Sequence, residues 1–444
     1  MNRKILVVGA GKSGIASSKL LKTRGEEVTL YDGNKELDTE KLKQDTGVER
    51  VILSGLTTAI AKEFDLAVFS PGIPLDCPDA LIIKDAGVRI IGEIELGYLC
   101  GKGSICAITG TNGKTTTTAL TGELLKNAFD DVRVVGNIGN PFTGNVSDTK
   151  DTTIMVAEIS SFQLETVEEF APKAAAILNI TPDHLNRHHT MEAYIAAKER
   201  IAINAETVVL NYDDDVLRDF GEKISDKKNV IWFSSAKKID TGYYLEDGVI
   251  KCSADGVITD IINVSEMNII GTHNHENAMA AIALSFSMGA DVSAIQRGLR
   301  SFVAVAHRIE FAGEKNGVKY YDDSKATNTD AAIKGICAMS GLTYLIGGGY
   351  DKGGSFKDWI ECFDGRVKKL LLIGVTKDRI KEEAEDLGFT DTISFETMEE
   401  AFDYAAENAV AGENVLLSPA CASWDMFKSY EQRGDIFKEL VRKL

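Results

Sequence analysis

The sequence lacks the features that mark membrane proteins, disulfide-rich proteins and nucleic-acid-binding proteins. No apolar run reaches the roughly 18 residues of a membrane-spanning helix, and the apolar segment at 5–8 is too short for a secretion signal. The seven cysteines are scattered without a CxxC pair, so neither a zinc motif nor a disulfide framework is predicted. The formal net charge of −18 argues against nucleic acid as a partner, because phosphate backbones need a basic face. We therefore expect a cytoplasmic protein with no membrane insertion.

The length of the chain and its alternating pattern predict several α/β domains. At 444 residues the chain exceeds the roughly 100–200 residues that one hydrophobic core usually supports. Short apolar runs alternate with helix-like segments almost throughout, which is typical of parallel sheets covered by helices. We place boundaries near residues 93 and 300, which gives domains at 1–92, 93–299 and 300–444. Within the central domain, Asp-Gly turns at 241–264 predict a hairpin insertion.

The first glycine-rich motif is the run GAGKSG at residues 9–14, directly after an apolar strand. Asp32 ends the next predicted strand. Such glycines allow a tight turn and the close approach of a pyrophosphate to a helix N-terminus, and the acid can reach a ribose. The motif alone is compatible with NAD and equally with another nucleotide in a Rossmann-like unit.

A second glycine-rich motif is the run TGTNGKTT at 109–116, again between an apolar strand and a predicted helix. Backbone amides in such a loop cradle phosphates, Lys114 would meet the β and γ oxygens, and a hydroxyl would bind Mg²⁺. Ile108 stands where the strict GxxxxGK[ST] pattern has its first glycine. The placement nevertheless predicts an ATP site in a domain of the P-loop type. Glu158 ends another apolar strand, as either a magnesium ligand or a solvated carboxylate.

The remaining polar residues of the central domain have less specific patterns. Asp183 and His184 follow an apolar run and a Thr-Pro turn, which makes His184 a metal or phosphate candidate. We expect His188 and His189 to lie on a loop surface. Lys198 lies on a predicted helix, where spacing alone favours an ordinary surface charge.

Together these residues resemble the Mur ligases, which are ATP-dependent enzymes that build the peptide stem of peptidoglycan. The resemblance rests on the GTNGKT loop, on Glu158 in the run EISSFQ, and on Asp183 and His184 followed by the run AAKER around Lys198. It continues in the runs GNIG at 136–139, DSKATN at 323–328, LSPACAS at 417–423 and EQRG at 431–434. It spans all three domains and implies N-terminal Rossmann-like, central P-loop and C-terminal Rossmann-like domains.

The resemblance implies three substrates, ATP, UDP-N-acetylmuramoyl-L-alanine and D-glutamate, joined through an acyl phosphate. The N-terminal domain would then bind UDP rather than NAD, and Lys198 would be a carbamate beside Mg²⁺. The implied UDP-substrate residues are Lys12, Ser13, Asp32, Gly33, Asn34, Ser70, Pro71, Gly72 and Asn137. The implied ATP residues are Gly110, Thr111, Asn112, Gly113, Lys114, Thr115, Thr116, Asn277, His307, Arg308 and Asp323. The implied D-glutamate residues are Lys325, Thr327, Lys352, Ser423 and Tyr430. The implied metal ligands are Thr115, Glu158, His184 and Lys198. The implied catalytic residues are Lys114, Asn137, Glu158, His184 and Lys198.

Two aromatic residues depart from the family pattern near the implied D-glutamate pocket. Tyr430 stands where relatives have Phe, which adds a hydroxyl, and Trp424 adds bulk next to Ser423. Each is interpreted either as part of the pocket or as aromatic packing on the last helix.

Three other interpretations are weighed against a Mur ligase, which we expect to be a monomer. Folylpolyglutamate synthases share the short loop but lack the Ser-Lys-Ala run at 324–326. A nicotinamide-dependent oxidoreductase is supported only by residues 9–14. A non-catalytic nucleotide-binding regulator is disfavoured because the four residues Lys114, Glu158, His184 and Lys198 are all present.

Overall fold

The computed structural model describes residues 3–303, 306–350 and 353–444. The chain divides into two compact units, one of Met1–Glu266 with Glu276–Ser301 and one of Met267–His275 with Phe302–Leu444. Both units are built from mostly parallel sheets covered by helices, so the predicted fold class is confirmed. Among the described residues, no helix is both long enough and apolar enough to cross a membrane.

The first unit begins with a five-stranded parallel sheet in the order β3-β2-β1-β4-β5. Its strands are β1 (Lys4–Val8), β2 (Glu27–Asp32), β3 (Arg50–Leu53), β4 (Leu66–Phe69) and β5 (Arg89–Gly92). Its helices are α1 (Lys12–Thr23), α2 (Thr39–Thr46), α3 (Thr58–Ala61), α4 (Pro78–Asp85) and α5 (Glu93–Cys100). Ile5 and Val7 belong to one buried cluster and Leu6 and Val8 to another. Alternate residues of β1 therefore face helices on both sides of the sheet, which explains its continuous apolar run.

A nine-stranded sheet completes the first unit in the order β14-β13-β12-β11-β10-β9-β6-β8-β7. Its strands are β6 (Ser104–Thr109), β7 (Val132–Gly136), β8 (Ile154–Glu158), β9 (Ala174–Ile177), β10 (Thr207–Asn211), β11 (Asn229–Ser234), β12 (Gly242–Glu246), β13 (Val249–Ala254) and β14 (Val257–Asn263). Its helices are α6 (Lys114–Lys126), α7 (Ser161–Leu164), α8 (Leu185–His188), α9 (Met191–Glu199), α10 (Asp215–Ile224), α11 (Thr272–Met288, whose first turn belongs to the second unit) and α12 (Val292–Ser301), with short 3-10 helices at Phe142–Asn145, Arg200–Ala202 and Val264–Glu266. The predicted hairpin insertion is present as an antiparallel meander of β12, β13 and β14.

The second unit contains a six-stranded sheet in the order β15-β16-β20-β17-β18-β19, in which only the β15–β16 pair is antiparallel. Its strands are β15 (Glu310–Lys315), β16 (Val318–Asp322), β17 (Thr343–Gly348), β18 (Val367–Ile373), β19 (Thr392–Ser394) and β20 (Asn414–Leu417). Its helices are α13 (Thr329–Cys337), α14 (Lys357–Glu361), α15 (Lys377–Asp386), α16 (Met398–Asn408) and α17 (Tyr430–Lys443). Because β16, β17, β18 and β20 run parallel to one another, the loops that follow these strands lie at one edge of the sheet.

Four strands, β7, β11, β15 and β19, were not predicted from the apolar runs of the sequence. β7, β15 and β19 end their sheets, and β11 has four partly exposed or exposed residues. Edge and half-covered strands carry weaker apolar patterns than central ones, which explains why a search for buried runs missed them.

A buried arginine fixes the start of α17 against two loops of the second unit. Arg433 is fully buried and donates hydrogen bonds to Ser324 Oγ at 2.9 Å, to Ser324 O at 2.7 Å and to Cys421 O at 3.2 Å. These bonds join the DSKATN and SPACAS runs, which are far apart in sequence. Arg433 therefore organises the loops that carry several candidate site residues.

We expect Arg433→Ala to lower the free energy of unfolding by about 3 kcal/mol or more, because it leaves buried acceptors without donors. Chemical denaturation followed by circular dichroism measures this change. Arg442→Ala, on the exposed side of the same helix, should change it by no more than about 0.5 kcal/mol. Equal effects of the two substitutions would contradict the anchoring role.

Candidate functional site

The carboxyl ends of four neighbouring parallel strands bring the central site together. β6, β7, β8 and β9 are adjacent in the sheet, and their last residues are Thr109, Gly136, Glu158 and Ile177. Parallel strands end at one edge of a sheet, where ligands of α/β proteins usually bind. The glycine loop, Asn137, Glu158 and the segment leading to His184 therefore start from this one edge.

The loop between β6 and α6 needs glycine at two positions. Gly110 has φ +150° and Gly113 has φ +86°, which are conformations that other residues rarely adopt. A Cβ atom at Gly113 would also lie 2.3 Å from Asn277 Oδ1. Asn277, a predicted ATP residue, accepts a hydrogen bond from Thr117 Oγ1 at 3.1 Å and so lies directly against this loop.

Two residues that the sequence analysis missed hold the loop in place. The Thr111 hydroxyl lies 3.0 Å from the Tyr194 hydroxyl and donates to Thr181 O at 3.1 Å. The Asn112 amide donates to Asn179 Oδ1 at 2.8 Å. Tyr194 lies on α9 and belongs to no recognisable motif, so its contact with the loop could not be predicted from the sequence.

Two lysines donate hydrogen bonds to the same carbonyl of this loop. The Lys114 and Lys198 ammonium groups each lie 2.8 Å from Gly110 O, and Lys114 also donates to Thr111 O at 2.9 Å. Lys198 is only 1% exposed, so the surface charge that spacing alone favoured is wrong. Burial, and secondly the charge of Lys114, lowers the pKa of Lys198 to about 6. The Lys198 Nζ also lies 4.7 Å from the centre of the Tyr194 ring.

Glu158 is buried and only half satisfied. Its Oε1 accepts a hydrogen bond from Asn137 Nδ2 at 2.8 Å, and its backbone carbonyl accepts one from the Asn137 amide at 2.8 Å. Within the part of the chain that the structure describes, its Oε2 has no hydrogen-bond partner, and the residue is 2% exposed. The solvated-carboxylate interpretation is therefore wrong, and the unsatisfied oxygen fits a cation.

The three histidines near residue 184 occupy different environments. His184 is half exposed, has a left-handed backbone with φ +54°, and lies 3.4 Å from Asp183 through Nε2. His188, which we expected on a loop surface, is 6% exposed, and its Nε2 lies 2.9 Å from Ser161 Oγ. Burial lowers the pKa of His188. His189 is exposed as expected. His188 is the last residue of the short helix α8, and its side chain is buried.

The predicted UDP-substrate residues gather at the carboxyl edge of the first sheet, except for Asn137, which follows β7 of the central sheet. Lys12 and Ser13 begin α1, Gly33 and Asn34 follow β2, and Ser70, Pro71 and Gly72 follow β4. Asp32 accepts hydrogen bonds from the Ala10 amide at 2.8 Å and from the Asn34 amide at 2.9 Å. Asp32 thus already fixes the glycine loop, in addition to any contact with a ligand.

The second unit holds the other predicted ATP residues beside one another. His307 Nδ1 lies 2.7 Å from Asp322 Oδ2. Asp323 accepts hydrogen bonds from Ser418 Oγ at 2.7 Å and from the Ile309 amide at 3.2 Å, and burial raises its pKa to about 7. The Nε of Arg308 is buried without a hydrogen-bond partner among the described residues, as expected of a donor that awaits an anion.

The predicted D-glutamate residues are described except for Lys352, which lies outside the described residues. Thr327 lines a cavity of about 90 Å³ in the second unit, and Ser423 is 2% exposed. Lys325 Nζ lies 5.6 Å from the centre of the Tyr430 ring, which in turn contacts His307 edge-on at 6.2 Å. Tyr430 is therefore next to both Lys325, a predicted D-glutamate residue, and His307, a predicted ATP residue.

Trp424 does not pack into the core beside the last helix. It is 65% exposed, and its ring centre lies 5.6 Å from that of Tyr350. Tyr350 also lines the 90 Å³ cavity, so the added bulk of Trp424 is placed next to a wall of that cavity. The interpretation of Trp424 as packing on the last helix is therefore not supported.

Comparisons with known proteins decide the family. Family models match residues 3–92 (Mur ligase MurD-like, N-terminal domain), 108–285 (Mur ligase middle domain) and 307–421 (Mur ligase, glutamate ligase domain). The UDP-N-acetylmuramoylalanine–D-glutamate ligase of Lachnospira eligens is 50% identical, covering 100% of this chain and 99% of its own. The ligase of the same name from Lachnoclostridium phytofermentans is 47% identical with the same coverage. The chain belongs to the Mur ligase family.

Solved structures of relatives share the fold. The MurF ligase of Thermotoga maritima in complex with ADP matches with a TM-score of 0.61 at 17% identity, over 100% of this chain and 96% of that one. The UDP-N-acetylmuramate–alanine ligase MurC of the same organism matches with a TM-score of 0.58 at 20% identity, over the full length of both chains. The resemblance seen in the motifs is thus confirmed over the whole chain. Mur ligases use ATP to form peptide bonds in peptidoglycan precursor synthesis, and this chain is such a ligase.

The burial of Lys198 generates a prediction about stability and pH. The folded protein holds this amine neutral above pH about 6, whereas the unfolded chain keeps its proton up to about the ordinary value of 10.5. The unfolded state binds more protons in this window, so wild-type stability should rise with pH by up to about 1.4 kcal/mol per unit. Lys198→Met removes this dependence and should be more stable than wild type at pH 7.

Urea unfolding at several pH values in bicarbonate-free buffer measures this difference. The advantage of Lys198→Met should shrink as the pH rises toward 10. Lys126→Met, at the exposed end of α6, is the matched control and should follow wild type at every pH. A Lys198→Met variant that differs from wild type by the same amount at every pH would refute the prediction.

Proposed function

We propose that this enzyme joins D-glutamate to UDP-N-acetylmuramoyl-L-alanine and converts ATP to ADP and phosphate. The observation that carries the proposal is a polyphosphate loop with two lysines on one carbonyl, beside a buried and half-satisfied Glu158, in a chain about half identical to ligases of that name. In this proposal the first sheet binds the UDP group, the central sheet binds ATP, and the second unit binds D-glutamate. We place the corresponding domains at 1–92, 93–299 and 300–444, and we expect a cytoplasmic monomer.

The chemistry needs an activated carboxyl group. The alanyl carboxylate attacks the γ-phosphate of ATP, which gives an acyl phosphate and ADP. The amine of D-glutamate then attacks the acyl carbon, a proton leaves the nitrogen, and the carbon–oxygen bond to phosphate breaks. Negative charge accumulates on oxygen in both steps, so cations held near the γ-phosphate stabilise the transition states. Lys114 supplies one such cation, because it begins α6 at the loop.

The residues present fit a bound Mg²⁺. Glu158 Oε2 is buried with no hydrogen-bond partner in the described ranges, and a carboxylate oxygen is a preferred ligand for this cation. Thr115, Glu158, His184 and a carbamate on Lys198 would hold Mg²⁺, which would neutralise charge on the transferred phosphate. Asn137 would orient Glu158, since it already donates to the other oxygen of that carboxylate.

The environment of Lys198 favours a carbamate because the buried amine loses its proton near neutral pH. The neutral nitrogen attacks CO₂, a carbon–nitrogen bond forms, and one proton goes to solvent. With ¹³C-labelled bicarbonate, we expect a carbamate resonance in wild type that is absent in Lys198→Met. The resonance does not depend on activity. Equal spectra for the two proteins would remove the carbamate from the proposal and leave the ligase reaction standing.

We expect Lys114→Ala to reduce turnover by on the order of a hundredfold or more, because it removes a cation at the γ-phosphate. Phosphate release with all three substrates measures this. Lys126→Ala, exposed at the far end of the same helix, is the control and should keep normal turnover. Near-normal turnover in Lys114→Ala would place the nucleotide elsewhere.

We expect D-glutamate to be used in strong preference to L-glutamate, D-aspartate and alanine. A pocket that pairs both carboxylates penalises an analogue that leaves a buried group unmet, by roughly 1–3 kcal/mol for each group. Ser423→Ala should raise the KM for D-glutamate and leave the KM for the UDP substrate nearly unchanged. Ser394→Ala, exposed on β19, is the control. Comparable rates with L-glutamate would overturn the substrate and keep the ligase chemistry.

A further inference from the structure

We propose that Asp322 is a positioning residue that holds His307 as a cation whose outer nitrogen, Nε2, donates to the phosphates of the bound nucleotide. The proposal rests on the proposed function in one respect, namely that His307 contacts ATP. It adds a residue that the family resemblance does not include among the site residues, and it assigns a charge to a site residue.

The geometry of the pair supports a fixed ring. His307 Nδ1 lies 2.7 Å from Asp322 Oδ2, and the Ser324 amide donates to Asp322 Oδ1 at 2.9 Å. Both carboxylate oxygens of Asp322 are therefore used, and because a carboxylate oxygen accepts from Nδ1, the proton of that hydrogen bond lies on Nδ1 and the ring turns Nε2 outward. Asp322 is fully buried, and a buried carboxylate needs a positive or strongly donating partner. His307 supplies this partner directly.

The surrounding backbone leaves the ring little freedom to turn away. A Cβ atom at Gly434 would lie 2.1 Å from His307 Nδ1 and 2.6 Å from Asp322 Oδ2, so α17 packs directly on the pair. His307 has φ +63°, a left-handed backbone that few residues other than glycine adopt. Its amide donates to Glu310 Oε2 at 2.8 Å, and its carbonyl accepts from the Lys325 amide at 3.0 Å. These contacts hold the strained residue in place.

Charged groups on three elements face His307, and they determine its protonation. Asp322 on β16 raises the pKa of His307 most, and Asp435 on α17, 3.7 Å from Nε2, raises it further. Burial and the charge of Lys438 on α17 lower it. Glu310 on β15 is paired with Lys438 at 3.1 Å, and Glu431 at the start of α17 also interacts with His307. The net direction is upward, so the imidazole keeps its proton at a higher pH than an ordinary histidine.

The unsatisfied Nε of Arg308 identifies the ligand class. This donor is buried beside His307 in sequence and has no hydrogen-bond partner among the described residues. An imidazolium next to an unsatisfied guanidinium nitrogen is suited to phosphate oxygens, which accept from both. A metal ion is the competing occupant, since His307, Glu310 and Asp322 offer ligand atoms within 4.8 Å of one another. The pairing of Glu310 with Lys438 places a second cation there and disfavours it.

Asp322→Asn tests the proposal because it keeps the shape and removes the charge. We expect the affinity for MgADP, measured by calorimetry at pH 7.5–8, to fall on the order of tenfold. Wild-type affinity should fall as the pH rises through the raised pKa of His307, and in Asp322→Asn this fall should occur at lower pH. Asp403→Asn, at an exposed position on α16, is the control and should change the affinity by less than about twofold.

A measurement on the wild type keeps the test independent of how well the variant folds. The imidazole carbon resonances, assigned through His307→Gln, should show His307 titrating above its ordinary value of 6.5. A value at or below 6.5, or an Asp322→Asn protein with wild-type affinity and pH profile, would overturn the proposal. Zn²⁺ binding to the nucleotide-free wild type that is absent in His307→Gln would also overturn it, because His307 would then be a metal ligand. A wild type that fails to bind MgADP would instead overturn the proposed function.

Discussion

The central site depends on the carbonyl of Gly110, which accepts hydrogen bonds from two lysines. One of them, Lys198, is buried, and neither would be held there without the left-handed glycines of the loop. Two cations at one carbonyl repel each other, so one must lose its proton or a negative group must enter. The low pKa of Lys198 is the first of these outcomes, and a bound polyphosphate or a carbamate would be the second. An anion bound at this loop would therefore reduce the repulsion between Lys114 and Lys198.

This local arrangement explains how a chain with a net charge of −18 can bind three anionic substrates. The average charge of a protein affects its long-range field, whereas binding depends on the few groups within contact distance. In the first unit the candidate groups are backbone amides at helix starts and two lysines. In the second unit the candidates are His307 and Arg308. Asp322 pairs with the ring of His307 and so holds it in place, whereas Asp323, itself a predicted ATP residue, accepts from the Ser418 hydroxyl and the Ile309 amide.

The central strands and the glycine loop of the site could be predicted from the sequence, because the strands of a covered parallel sheet appear as continuous apolar runs. The strands that end at Thr109 and Glu158 are central and covered on both faces. The loop after Thr109 needs glycine at two positions because the backbone there has positive φ. The environments of Lys198 and His188 were not predictable from spacing. Both lie on short helices whose apolar face is weakly marked. Lys198 is buried against the Gly110 carbonyl, 88 residues earlier in the chain, and His188 packs on Phe162 of another helix. Tertiary contacts of that kind leave no periodic signal.

The chemistry of the proposed intermediate sets a further constraint on the central site. In the proposed reaction an acyl phosphate forms near Lys114 and Glu158. An acyl phosphate in water would hydrolyse, so it must form only when the amine is also present. Lys198 and Glu158 are only 1% and 2% exposed, so the edge of the central sheet already keeps water away from the side chains that would lie near the transferred phosphate.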